Sequence, residues 1–470
     1  MSIAPYLSDP PALDERASFD LVRHGHQDLV QAVAFNSYGD RCATGSVDGK
    51  IRVFNRHKDG VWRHCDNWGA HGGEILELQW LPPTIYPNLL ASLGIEGRFK
   101  LWAEDPSAAP GRRFSNNRVG SRQQHHQTTT DGSPSAGGGS ANPKAAFETR
   151  NSRSPYRSFS MKHLDDSRHT YLALVSADGG LTVYENEAPE DLADYTQMDE
   201  FSVCARPARG EETSFRVRFD PNPDVCYTAL RAGVPADALG LVVAAMDTVR
   251  IYRTRDVVGA SLGVATTSRQ FYLAAEVGIH KGLVRDVAWA PGNIRGYDIM
   301  ATACQDGYVR VFKITTPPGG TEAGGEGEGN DKTEERPVGW SVGEIKKHSR
   351  RSGGGSQTAG GDDDAAAKRG VTSELMQSLP KSGIRAGFDQ LKTSGERRPA
   401  APAQVRHMVT EVSRLDSHRT PVWRVGFDDD GQILGSVGDE GRLICYRQTP
   451  DGSWAKSSEL SMIKMKMAAP

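Results

Sequence analysis

"DGKIRVF", Asp48–Phe54, is a turn followed by an alternating strand, and almost the same seven letters return along the chain. "EGRFKLW" ends at Trp102, "DGGLTVY" at Tyr184, "DGYVRVF" at Phe312 and "EGRLICY" at Tyr446, with a degenerate "DTVRIY" ending at Tyr252. In the five full copies the acidic turn residue (Asp48, Glu96, Asp178, Asp306, Glu440) stands six residues before the aromatic. An Asp-Gly or Glu-Gly pair supplies the positive φ of a tight hairpin. The alternation after it (Ile51, Val53; Phe99, Leu101; Val309, Val311) predicts a half-buried strand.

Two further strands precede each turn. "RCATGSV", "LLASLGI", "YLALVSA" and "IMATACQ" run into it, and "VQAVAF", "ILELQW", "FRVRF", "VRDVAW" and "VWRVGF" lie one step earlier. His26, His71, His280 and His418 stand just upstream. Strand, strand, turn, strand and a looser fourth strand, repeating at roughly 40 to 45 residues, is the layout of propeller blades and resembles WD repeats. The letters depart from that pattern, since Gly-His survives only at Gly25-His26 and Phe54-Asn55 or Trp102-Ala103 stand where Trp-Asp is usual. The expected fold is an all-β, six-bladed open WD-repeat β-propeller within residues 18–460, with three-strand cores near 29–54, 74–102, 157–184, 214–252, 283–312 and 421–446.

Fourth strands follow each core, the last at "DGSWAKSSEL", yet "SFDLVRHGH" (Ser18–His26) reads as one more outer strand with no core of its own. Either the C-terminal strand is a tail, or the N-terminal strand belongs to a seventh blade whose inner three strands come from another chain. A missing blade would leave the flanks of blades 1 and 6 exposed. The surface expected to receive it is Phe19, Leu21, Val22, Val30, Val33, Phe35, Val422, Trp423 and Val425. Residues 104–144 and 316–402 are rich in Gly, Ser and charge and read as disordered insertions, with one weak helical stretch at "SELMQSLPKSGIRAGFDQLK". Tails of the same character are expected at 1–17 and 461–470.

The 470 residues carry a net charge of −3, which gives no whole-molecule pull toward nucleic acid or an anionic membrane. Cys42, Cys65, Cys204, Cys226, Cys304 and Cys445 are scattered without a C-x-x-C pair, and no apolar run approaches the roughly 18 residues of a membrane span. The chain therefore reads as reduced and intracellular, with free thiols. The turn carboxylates and the four histidines recur once per blade, as structural residues do, whereas a catalytic group occurs once. "GGGS" and "GGEGEG" lack the Lys-Ser/Thr of a phosphate loop, and His125-His126 and the Arg-rich patches sit in insertions. Hence no catalytic residue, cofactor, metal or small-molecule substrate is expected.

The opening "HGHQDLVQAVAFNSYGDRCATGSVDGKIRVFN", the following "GVWRHCDNWGAHGGEILELQW" and the closing "SHRTPVWRVGFDDDGQILGSVGDEGRLICYR" resemble the Seh-type nucleoporins (Sec-thirteen homologues). The likeness is good at both ends, fair in blade 5 and poor in blades 3 and 4. It implies a non-catalytic scaffold subunit of the nuclear pore's Y-shaped outer-ring complex, completed by a three-stranded blade from an α-solenoid nucleoporin of the eighty-five type. It also implies the other Y-complex nucleoporins as partners, support of mRNA and protein transport, and a place at the nuclear envelope. A second role in the Seh-associated complex that regulates TOR signalling on the vacuole or lysosome follows from the same resemblance, with membranes met only through the assembly. The alternatives are a Sec-thirteen-like vesicle-coat subunit and a self-closed propeller that reads peptides.

Overall fold

The computed structural model describes residues 22–85, 87–109, 111–114, 144–261, 264–292, 296–317 and 404–461. Its 24 described strands form six four-stranded antiparallel sheets. Blade 1 is β1 (Val30–Phe35), β2 (Arg41–Ser46), β3 (Lys50–Arg56) and β4 (Trp62–Gly69). Blade 2 is β5 (Ile75–Trp80), β6 (Leu89–Gly94), β7 (Arg98–Ala103) and β8 (Phe147–Arg150). Blade 3 follows as β9 (Tyr156–His163), β10 (Thr170–Ser176), β11 (Gly180–Asn186) and β12 (Thr196–Ser202). Blade 4 is β13 (Phe215–Phe219), β14 (Gly240–Ala245), β15 (Thr248–Ser261) and β16 (Val264–Val277), with a one-turn helix α1 (Tyr227–Arg231) between its first two strands. Blade 5 is β17 (Val284–Trp289), β18 (Asp298–Cys304), β19 (Val309–Thr315) and β20 (Met408–Leu415). Blade 6 is β21 (Val422–Phe427), β22 (Ile433–Gly438), β23 (Arg442–Gln448) and β24 (Trp454–Ser461). This is the β-propeller the repeats predict.

The turn chemistry explains why the strands fold back where they do. Gly49, Gly97, Gly179, Gly307 and Gly441 hold φ between 68° and 83° at the five full turns, a region that costs glycine nothing. The degenerate blade 4 turn places Met246 at φ 61° instead. That residue is held from both sides: its amide donates to the Ser214 carbonyl at 2.9 Å and its carbonyl accepts from Val284 at 2.8 Å.

The turn carboxylates also fasten the upstream histidines. In blade 2 the Glu96 carboxylate meets His71 Nδ1 at 2.6 Å, His71 Nε2 meets Ser92 Oγ at 2.8 Å, and Trp102 donates its indole N–H to the same Oγ at 2.8 Å. Blade 1 repeats this with Asp48, His26 and Thr44, and blade 6 with Glu440, His418 and Ser436. Blade 5 departs from it: Asp306 pairs with Arg310 at 2.6 Å, while His280 Nε2 bonds Thr302 at 2.9 Å.

Several sequence expectations change. Of the surplus N-terminal strand, Val22–His26 is described and forms no strand. The C-terminal strand is no tail, because β24 pairs with β23 from Arg442↔Ser461 to Gln448↔Trp454. The first insertion begins later than its composition suggests. Glu104 accepts a two-pronged Arg41 contact at 2.8 and 2.9 Å, and Phe114 is fully buried against Trp68. The second also begins later, since Thr316 is buried and bonds His407, just short of β20, at 2.7 Å. The β15–β16 hairpin has 14 residues per strand, twice the blade norm. The helical stretch near residue 380, His125-His126 and residues 1–17 lie outside the described residues.

Candidate partner-binding face

Six blades share five inter-blade cores. Blades 1 and 2 meet around Ile51, Trp68 and Trp80, blades 2 and 3 around Phe99 and Phe159, and blades 3 and 4 around Leu181 and Val217. Blades 4 and 5 meet around Ile251 and Trp289, and blades 5 and 6 around Val311 and Tyr446. A closed ring of six needs a sixth core, and among the described residues no cluster joins blade 6 back to blade 1.

Register shows which side chains this leaves bare. β1 and β5 carry the same bulge: Val30 faces Ser46 and Ala32 faces Gly45, as Ile75 faces Gly94 and Glu77 faces Leu93. Val30, Val33 and Phe35 therefore occupy the positions of Ile75, Leu78 and Trp80. Ile75 is fully buried and Trp80 is 8% exposed, because both rest on blade 1. Val33 is 55% exposed and Phe35 is 58% exposed, because blade 1 has no blade before it.

On blade 6 the alternation assigns the two faces. Val422 and Val425 are buried with Leu434, Ile444 and Tyr446 in the core shared with blade 5, so they do not face the gap. Trp423 lies under the Arg285 guanidinium of blade 5, 4.6 Å from its ring centre, and stays partly exposed. The gap side belongs to Gly426, Gly435, Val437, Leu443 and Cys445. Leu443, opposite Val437 and Leu460, stands where blade 1 has Ile51, opposite Gly45 and Trp68. Ile51 is fully buried, while Leu443 is 38% exposed. The missed residues were legible in the third-strand alternation "RLICY", had the two faces of each blade been separated. Val22 is exposed, and Phe19 and Leu21 lie outside the described residues.

A cavity of about 1130 Å³ runs along the inner strands of all six blades, and its lining includes Val33 and Phe35 of blade 1 and Gly435, Val437 and Leu443 of blade 6. Its floor is charged. Glu77 meets Arg216 at 2.6 Å and Arg218 at 3.1 Å, and accepts from Ser158 Oγ and the Phe159 amide, both at 2.9 Å. Burial alone would raise the Glu77 pKa, but Arg218, Arg216 and Arg424 outweigh it and push it down to about 2. This cluster ties β5, β9, β13 and β21 together near the axis, where Arg424 also donates to the Leu76 carbonyl.

Among the described residues one group has metal-ligand proximity: His169, Glu185 and Glu187, with His169 Nδ1 already 2.9 Å from Glu185. That hydrogen bond joins β11 to the residues just before β10, and Glu187 beside it is exposed. The six cysteines are free thiols, and burial pushes Cys42 and Cys304 up to about 11, away from reactive thiolate.

A sheet fold of six blades whose polar residues fasten the turns defines a WD-repeat β-propeller. The WD domain, G-beta repeat model matches residues 19–55. Nucleoporin SEH1 of Chaetomium thermophilum is 56% identical over 99% of both chains. Nucleoporin SEH1 of Saccharomyces cerevisiae is 26% identical over 90% of this chain and 94% of its own, and that of Homo sapiens 24% over 91% and 84%. The chain belongs to the SEH1 nucleoporin family.

Proposed function

We propose that the protein is a scaffold subunit of the nuclear pore's Y-shaped outer-ring complex, which accepts into the gap between blades 6 and 1 a three-stranded blade from an α-solenoid nucleoporin of the eighty-five type. The observation that carries this reading is the count of six blades against five inter-blade cores. The receiving surface is Val30, Val33 and Phe35 on blade 1 with Val437, Leu443 and Cys445 on blade 6, and the donor's edge lies beside Phe19, Leu21 and Val22. Filling a gap of this kind belongs to the obligate class of interface, on the order of 2,000 Å² or more.

Through that contact the protein supports nucleocytoplasmic transport of mRNA and protein at the nuclear envelope without performing a reaction. The same acceptor serves a second assembly, the TOR-regulating Seh-associated complex on the vacuole or lysosome. Tagged full-length protein purified in mild salt from its own cells tests both. A stoichiometric α-solenoid nucleoporin with outer-ring companions supports the reading. Vesicle-coat cage subunits alone, or a lone monomer, overturn it.

A further inference from the structure

Blade 6 turns to the gap a face built on two glycines that nothing in the chain itself requires. Gly426 in β21 and Gly435 in β22 lie opposite each other in the ladder. Neither holds the positive φ that favours glycine. A Cβ on Gly426 would meet no atom within 4 Å, and one on Gly435 would make ordinary contact, 3.6 Å from Leu443 Cδ1. Glycine inside a strand weakens it, and it often marks a place where another chain comes close.

The interfaces already formed show what comes close at this position. In blade 1 the same register holds Ala34 opposite Ala43. Both pack in one cluster with Trp80 of blade 2, whose indole N–H donates to the Ala34 carbonyl at 3.2 Å. In blade 5 the register holds Ala288 opposite Ala301, and Phe427 of blade 6 packs with them. In these two blades small residues thus receive a large ring from the end of the next blade's inner strand, whereas the bulkier Gln79–Ala91 pair of blade 2 precedes Met161 at that position. Glycine on such a face has its own precedent in Gly45, where a Cβ would fall 2.6 Å from Ile75 Cγ2 of blade 2.

We propose that Gly426 and Gly435 form the seat for a large aromatic side chain on the inner strand of the donated blade, with the Gly426 carbonyl placed to accept an indole N–H. This deepens the blade-acceptor reading and rests on it. The seat has less side chain than any of its counterparts above, so it reads the bulk of the incoming residue and sets which blade can dock.

The test is binding of the co-expressed α-solenoid nucleoporin to full-length wild type, Gly426→Val, Gly435→Val and Gly435→Ala. Valine favours a strand, so the free variants should melt no lower than wild type. Their donor affinity should fall tenfold or more, and truncating the seated donor aromatic to Ala should restore binding to the valine variants. If valine disturbs the free fold, Gly435→Ala decides, because its Cβ meets only ordinary contacts. Variants that melt normally and bind the donor like wild type overturn the seat and leave the blade-acceptor reading standing. A wild type that captures no donor removes that reading, and the seat with it.

Discussion

Phe35 and Trp80 occupy the same register position in successive blades, yet Phe35 is 58% exposed and Trp80 is 8% exposed. The backbone around them is equivalent, so the difference reports what lies next to each blade. For Trp80 it is blade 1, through the Ala34 carbonyl and the Arg41 guanidinium 5.0 Å from its ring centre. Phe35 meets the edge of Trp62 from its own blade.

The pair makes a contrast in mutational cost. Trp80→Ala should destabilise the free protein by about 3–5 kcal/mol, the range for removing a buried ring. Phe35→Asp should change it by no more than about 0.5 kcal/mol, as an exposed site. Donor binding should respond in the opposite sense, surviving a folded Trp80 variant and failing with Phe35→Asp or Leu443→Asp. Urea titration and co-purification of the same variants check both halves.

Blade 2 and blade 1 also differ in their internal ties. Ser92→Ala should cost about 1–3 kcal/mol, because it leaves the buried Trp102 N–H unpaired along with His71 Nε2. Thr44→Ala should cost less, since Phe54 replaces the tryptophan at that position and brings no donor. Chemical denaturation of the two variants side by side measures the difference.

Most of the fold was legible because the blade signal is local. A positive-φ glycine, an acidic residue before it and a six-residue step to an aromatic all act within one hairpin, so five of six turns announced themselves. The uncovered flanks of blades 1 and 6 were only half legible. Val30, Val33 and Phe35 were readable from the open edge of blade 1, but Val422 and Val425 looked equivalent and point the other way. Which face of a blade meets which neighbour depends on the direction of the ring, a property no single strand carries. Phe114 hid inside a polar segment, because it packs against strands of blades 1 and 2 that lie far from it in sequence.

Arg253 is fully buried, 3.1 Å from Asp220 and 3.0 Å from Asp298, with His407 Nε2 at 3.2 Å. Arg253→Met removes the cation and leaves two carboxylates without it. It should cost about 3–5 kcal/mol, a loss that denaturant unfolding would register.

Acid should weaken the protein in two stages. His280 is held down to about 4, chiefly by burial and then by Arg310. The unfolded chain therefore binds the proton first, and stability present above pH 6.5 is lost as pH falls toward 4. Glu77, held at about 2, keeps its contribution above pH 4.5 and loses it as pH falls through 2. His407, held down to about 3 by burial and then by Arg253, adds to the early loss. Melting temperatures from pH 8 to 3 should therefore show an early decline that His280→Asn lessens without abolishing.

The central claim is that the gap between Phe35 and Leu443 is filled by another chain in the cell. A photo-crosslinking amino acid placed at Phe35 or at Leu443 of the full-length protein, with Val258 on the blade 4 hairpin as an exposed control, tests this directly. An open acceptor gives one heavy adduct shared by the first two sites, mapping to a short strand-forming segment of the donor, and none at the control. No adduct at either gap site, or adducts only within the chain itself, would contradict it.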